Sequence, residues 1–349
     1  MGNSLPAIYN GNVYIGSYDA FLYAIDMETR ELVWRFKAGD FIFSGPAIDE
    51  KNGIVYFGSK DSYIYAVSAR DGKEIWRFKT MDEIMSFPTL YNGKLLIGSL
   101  DGYLYCIDAY SGREEWRFKT GGEIVQRFEL PVANGMIYFC SFDNYLYALT
   151  LDGKEVWRFQ LGKYGSSGVP ALYKGVLYHG DREGIFYAIE ANSGKEVWRF
   201  YASKKPISQK PLIFNEKVYF GSDDCNLYCL DLNGNEMWRF KTEGIVGVPP
   251  VVYKNMLLVA SFDCHVYAID LVTREEIWRF ATSTMQQSYF PPAYEAWETK
   301  VKTDTHKEEM EEGKEDKYAR SLAMGEFDSY KAKSEYAMKS EYTSKSEYK

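Results

Sequence analysis

The sequence predicts an all-β protein: a seven-bladed β-propeller of four-stranded antiparallel blades, followed by a charged, largely disordered C-terminal tail. Three observations carry that reading. The tripeptide Trp-Arg-Phe occurs seven times, opening at Trp34, Trp76, Trp116, Trp157, Trp198, Trp238 and Trp278. Its intervals are 42, 40, 41, 41, 40 and 40 residues, and a fixed period near 40 marks a repeat architecture. Within each period, short runs rich in Tyr, Val, Ile and Phe alternate with clusters of Gly, Asn and Asp, and helical spacing is absent.

The first period sets the pattern. Strands are expected at residues 5–9, 12–16, 21–26 and 31–36, separated by turns at Asn10-Gly11, around Asp19 and at residues 28–30. Four antiparallel strands per unit of this length describe a propeller blade. Seven such sets fit between Pro6 and Phe280, with inner-strand prolines at Pro6, Pro46, Pro88, Pro131, Pro170, Pro211 and Pro249. Small residues recur in the second strand (Gly16, Gly58, Gly98, Cys140, Gly180, Gly221, Ala260) and in the third (Ala24, Ala66, Cys106, Ala148, Ala188, Cys229, Ala268). An indole needs a flat seat, and both series are candidates for one. A single blade exposes two apolar faces, which neighbours in a ring are expected to cover.

Composition fits a folded chain, at 46% apolar, 17% aromatic and 26% charged. Net charge is −8, which gives no general electrostatic reason to bind nucleic acid. No run approaches the ~18 apolar residues of a membrane span. The start shows no basic and apolar leader, so a cytoplasmic, monomeric propeller is expected. The five cysteines are odd in number and occupy strand or turn positions in phase with the repeat, as small apolar groups do. His179 stands where other blades carry Ile15, Phe57, Ile97, Phe139, Phe220 and Val259, which predicts a packed core histidine. Cys225, Cys264 and His265 fall at neighbouring turns without paired zinc-ligand spacing, so no metal is expected. The common phosphate-loop, hydrolase and zinc-protease motifs do not occur.

A family resemblance rests on the turn before each tryptophan. Ala24-x-Asp26-x-x-Thr29-Arg30-x-x-x-Trp34 resembles the tryptophan-docking motif of the PQQ-like (quinoprotein-like) propeller superfamily, with Arg30 in place of its usual Gly. Cys106-x-Asp108-x-x-Ser111-Gly112-x-x-x-Trp116 and Ala188-x-Glu190-x-x-Ser193-Gly194-x-x-x-Trp198 are close variants. The superfamily includes outer-membrane assembly lipoproteins and quinoprotein dehydrogenases. The resemblance implies that each tryptophan docks on the small residue and on a neighbouring blade's glycine, a structural role. It implies two functions: a non-catalytic scaffold binding a protein or peptide partner, or a dehydrogenase carrying pyrroloquinoline quinone (PQQ) with calcium. Family enzymes carry longer insertions, calcium ligands, a catalytic Asp and often a vicinal cysteine pair. Minimal loops and no adjacent cysteines favour the scaffold, with no cofactor and no catalytic residue.

Two domains are expected, the propeller at 1–294 and a tail at 295–349. The tail carries 11 Lys or Arg and 14 Asp or Glu among 55 residues, too few apolar groups to offset ordering entropy. Its Lys-Ser-Glu-Tyr repeats open at Lys333, Lys339 and Lys345, and recruitment of a partner by this tail is a third functional reading. Residues 284–294, with Pro291-Pro292, resemble the opening of another inner strand and are expected at the seam between blades seven and one.

Recognition is expected on one face of the propeller. Acidic residues recur at the turn between second and third strands: Asp19, Asp61, Asp101, Asp143, Glu183, Asp224 and Asp263. Asp at such a turn usually binds nearby backbone N–H groups. The blade-to-blade connections emerge on the same face and differ from one another. Asp40, Asp82, Glu83 and Glu123 line the first three, and Lys163, Lys204 and Lys205 line the next two. The polar insertion Gln126-Arg127-Phe128-Glu129 in the fourth inner strand is the passage most suited to a ligand contact.

Overall fold

The computed structural model describes residues 5–282. The tail, the 294/295 boundary and the seam segment at 284–294 lie outside the described residues. Twenty-eight strands form seven separate four-stranded antiparallel sheets, each in simple meander order. Blade one comprises Ala7–Tyr9, Asn12–Gly16, Phe21–Asp26 and Leu32–Lys37. Blade seven comprises Val251–Tyr253, Met256–Ser261, His265–Asp270 and Glu276–Ala281. The expected strands are therefore present with ends shifted by one or two residues. Blade four has the shortest inner strand, Val132–Ala133, which follows the polar insertion at 126–129.

The repeat is held by two docking contacts per interface. In the first, an indole of one blade lies over the third turn of the next. Trp34, Trp76, Trp116, Trp157 and Trp198 donate their Nε1–H to the carbonyls of Ala69, Ala109, Leu151, Ala191 and Leu232 at 2.9–3.0 Å. Each ring rests on a glycine: a Cβ added to Gly72, Gly112, Gly153 or Gly194 would stand 2.6 Å from it. Each indole is also registered opposite the small third-strand residue of its own blade, as Ala24 is opposite Trp34, with a β-bulge just beyond.

The second contact corrects the expectation that the second-strand glycines also seat indoles. Gly16, Gly58, Gly98, Gly180 and Gly221 instead lie under Ile42, Ile84, Ile124, Ile207 and Val246, which descend from the connection to the following blade. An added Cβ there would stand only 2.1–2.4 Å from those side chains. The backbone fixes the cap: the N–H of Ile42 donates to Ser17 at 3.1 Å, and that of Ile84 to Ser59 at 3.2 Å.

Six buried cores lie between successive blades, from blades one and two to blades six and seven. Among the described residues a seventh, between blades seven and one, does not form. Val13, Ile15, Tyr23 and Ile25 of blade one are only half-buried, whereas their counterparts in the other six blades are all buried. The seven tryptophans are not covered alike. Trp34 and Trp76 are 8% and 9% exposed, Trp116, Trp157, Trp198 and Trp238 are half-buried, and Trp278 is 41% exposed. Among the described residues no following turn carries an indole bond from Trp278.

Candidate functional site: the connection face and the axial mouth

The acidic turns are spent on structure. The hydroxyls of Tyr23, Tyr65, Tyr105, Tyr147, Tyr228 and Tyr267 donate to Asp19, Asp61, Asp101, Asp143, Asp224 and Asp263 at 2.5–2.8 Å. In blade five this part belongs to Asp181, two residues before the expected Glu183, and Tyr187 donates to it at 2.8 Å. Five of these carboxylates also accept an N–H from the connection arriving from the preceding blade: Gly39 to Asp61, Met81 to Asp101, Gly121 to Asp143, Gly162 to Asp181 and Glu243 to Asp263. Burial pushes Asp263 up, but bonds from Tyr267, Ser261 and backbone N–H groups outweigh it and hold the carboxyl below its usual range. A ring so committed ties blades together and leaves little capacity for a cation.

Asp40, Lys163, Lys204 and Lys205 are exposed, while Asp82, Glu83 and Glu123 are half-buried. Glu83 pairs with Lys60 at 3.5 Å. Asp40 and Asp82 each accept the N–H of the next residue, at 2.6 and 2.8 Å. One arc of the face is acidic and another basic.

At the axis, the residues that open the inner strands converge on a pocket of about 290 Å³. Its wall combines Pro6, Pro46 and Pro88 with Phe87, Phe128, Glu129 and Lys210, drawn from five blades. The rings of Phe87 and Phe128 lie 6.4 Å apart. Burial holds the Lys210 amine below the usual lysine range, and Glu129 partly offsets that. The predicted insertion thus divides: Phe128 and Glu129 line the mouth, Arg127 is exposed, and Gln126 turns inward. The Gln126 side chain donates to the Cys140 carbonyl at 2.6 Å, and its main-chain carbonyl accepts from Phe87 N–H at 2.6 Å. Sequence reasoning missed Phe87 and Lys210. Lys210 carried a usable signal: it is charged at the residue before an inner-strand proline, where Leu5, Gly45, Phe87, Leu130, Val169 and Val248 stand elsewhere.

A buried polar cluster sits between blades four and five. His179 Nε2 lies 2.9 Å from Ser166 Oγ and 3.4 Å from Cys140 Sγ. Ser166 occupies the capping position that Ile or Val holds in the other interfaces, and Cys140 the seat that is glycine there. The larger seat takes the smaller cap, and the hydroxyl then needs the imidazole as a partner. His179 is fully buried, as expected of a core residue, and burial pushes its pKa down to about 3. The unfolded imidazole titrates near 6.5. The folded value is the lower one, so stability is complete above that pH and is lost as pH falls toward 3, by roughly 1.4 kcal/mol per unit. His179→Phe, the residue type at Phe57, Phe139 and Phe220, should flatten that acid limb. Melting temperatures of both proteins between pH 7 and 4.5 measure it.

Seven meander blades locked by indoles over glycines define a PQQ-like repeat propeller. A family model described as outer membrane protein assembly factor BamB matches residues 60–199, 142–231 and 182–302, together more than half of the sequence, and the chain belongs to that family. The structure of BamB from Moraxella catarrhalis superposes with a TM-score of 0.71 at 18% identity, over 80% of this chain and 88% of that one. The computationally designed protein Ika8 gives 0.68 at 14% identity, over 80% and 86%. Quinohemoprotein alcohol dehydrogenase from Comamonas testosteroni gives 0.67 at 16%, over 80% and 67%. At such identities the likeness is one of fold. No curated protein matches the chain.

The dehydrogenase neighbour raises the question of its quinone. Pyrroloquinoline quinone is a tricarboxylate, and with calcium it needs several converging cationic, carboxylate and amide groups. The axial mouth offers one carboxylate, Glu129, and one amine, Lys210. Among the described residues no three His, Cys, Asp or Glu side chains gather as metal ligands. This donor set does not fit the quinone with calcium.

Proposed function

We propose that the chain is a non-catalytic platform that binds a protein or peptide partner through the axial mouth and the connections around it. The observation that carries this reading is the composition of the mouth. Three prolines and two phenylalanines from four blades frame one amine and one carboxylate. Such a wall takes up an apolar side chain of an extended segment while the charged pair orients its backbone or termini. The surrounding connections, acidic on one arc and basic on the other, favour a partner of complementary polarity and act mainly on association rate.

The test is selection of peptides from a random library on the immobilised full chain. Selected peptides should lose at least tenfold in affinity on Phe128→Ala or Lys210→Glu, with little change in melting temperature. Changing Lys163, Lys204 and Lys205 to Glu should slow their association at low salt, and added salt should erase the difference. Peptides that bind all variants equally would move the site off this face, and binding lost only on deletion of 295–349 would favour the tail. Dye reduction by an alcohol after reconstitution with the quinone and calcium would overturn the non-catalytic reading.

A further inference from the structure

Lys210 is a half-buried cation in the axial mouth without an anion to meet it. Among the described residues its amine makes no hydrogen bond or ion pair, whereas Lys60 and Lys94, also half-buried, pair with Glu83 and Glu115. Glu129 acts on it only from beyond ion-pair distance and is itself exposed. A charge taken out of water and left unpaired costs folding free energy. An anion entering the pocket would remove that cost.

The rest of the lining narrows what carries the anion. Of the ten described lining residues, Lys210 alone has a side chain that donates hydrogen bonds. Pro6, Pro46 and Pro88 have no main-chain N–H, and that of Phe87 is already given to the Gln126 carbonyl at 2.6 Å. An internal stretch of peptide laid across this wall would bring several carbonyls to a surface with one side-chain donor, and each unmet carbonyl is costly. A chain end brings one residue. Its two carboxylate oxygens meet at a single ammonium, which has three N–H bonds to give. The volume, about 290 Å³, lies at the lower limit for ligand pockets, room for a terminal residue and little more. The exposed carboxylate of Glu129 repels a second negative charge and favours a neutral or basic residue upstream.

We propose that the axial mouth captures the C-terminal carboxylate of a partner chain ending in an apolar residue, with the carboxylate on Lys210 and the last side chain against Phe87 and Phe128. The capture rests on the peptide-binding reading of the mouth and specifies which part of the partner enters it.

The probes are two random libraries of N-acetylated heptapeptides, one ending in free carboxylates and one in amides, each screened on the immobilised full chain. Binders should come from the acid library, enriched in Leu, Ile, Met or Phe at the last position. Amidating a selected peptide should weaken it about tenfold or more, the effect of losing a charge-assisted bond. Lys210→Met should remove the difference between acid and amide, Lys210→Arg should retain it, and Phe128→Ala should weaken both forms. Acids and amides that bind the unmodified chain equally, yet lose affinity on Phe128→Ala, would overturn the chain-end capture and leave the mouth to internal segments. Peptides indifferent to both Phe128 and Lys210 would overturn the peptide-binding reading of the mouth as well. N-acetyl-leucine binding as tightly as the selected peptides would overturn the capture in favour of small carboxylic acids.

Discussion

Replacing Trp76 by alanine is expected to destabilise the propeller by about 3–5 kcal/mol, the range for truncating a large buried aromatic. Trp76 is among the best-covered indoles of the series, and it does three things at once. It fills the core between blades two and three, packing with Ile84, Leu95 and Tyr105. It lies 5.8 Å from the Tyr56 ring. Its Nε1–H closes on the Ala109 carbonyl at 2.9 Å, so truncation also leaves a buried acceptor without its donor. The same change at Trp278 should cost less than half as much, since 41% of that side chain's residue surface is already in water and no indole bond is made among the described residues. Urea denaturation of both variants measures the difference. Equal losses would mean that Trp278 is docked as the others are.

That asymmetry marks where the sequence was informative and where it stopped. The seven Trp-Arg-Phe units are alike, so period, strand number and blade count could be read directly. Position in the series is not encoded in the unit. Each indole is covered by the following blade's turn, and no residue within 276–281 tells that no described turn lies against Trp278. The seats were read half correctly for a similar reason. Small residues recur in both the second and third strands, but only the fold shows that Ile42 and its equivalents, not the indoles, descend on the second-strand glycines. Blade five shows the converse. Glu183 kept the repeat's pattern of charge, while the function passed to Asp181, which holds the position of Ser141 and Ser222 in neighbouring blades and is one carbon shorter than Glu.

The candidate site was legible to the extent that it departs from the repeat. The insertion at 126–129 and the unlike connections were visible as breaks in pattern, and two of the four inserted residues do reach the axial mouth. Phe87 and Lys210 join them from blades far apart in sequence, and only the circular arrangement brings their inner strands together. An apolar Phe87 in an apolar context gives no signal at all, because a core and a pocket wall ask for the same side chain.

The second large effect is expected at Gly112, and it separates backbone strain from packing. Gly112 has φ +69°, and a Cβ there would stand 2.6 Å from Trp76 Cδ2 and 2.8 Å from Cγ. Gly175, in a first turn, has φ +77° with no atom within 4 Å of an added Cβ. Gly175→Ala therefore carries only the left-handed backbone cost of about 1–2 kcal/mol. Gly112→Ala carries that cost plus overpacking of about 1–3 kcal/mol, because the indole can move only by giving up its bond to Ala109. A native precedent exists in blade seven, where Arg274 holds the equivalent position at φ +67° and Trp238 makes no indole bond among the described residues. The double variant decides the matter. If the clash is with the ring, Gly112→Ala introduced into a Trp76→Ala protein should cost no more than Gly175→Ala does, a coupling of about 1–3 kcal/mol between the two sites. Additive losses would place the cost of Gly112→Ala in the turn itself and take the glycine out of the docking contact.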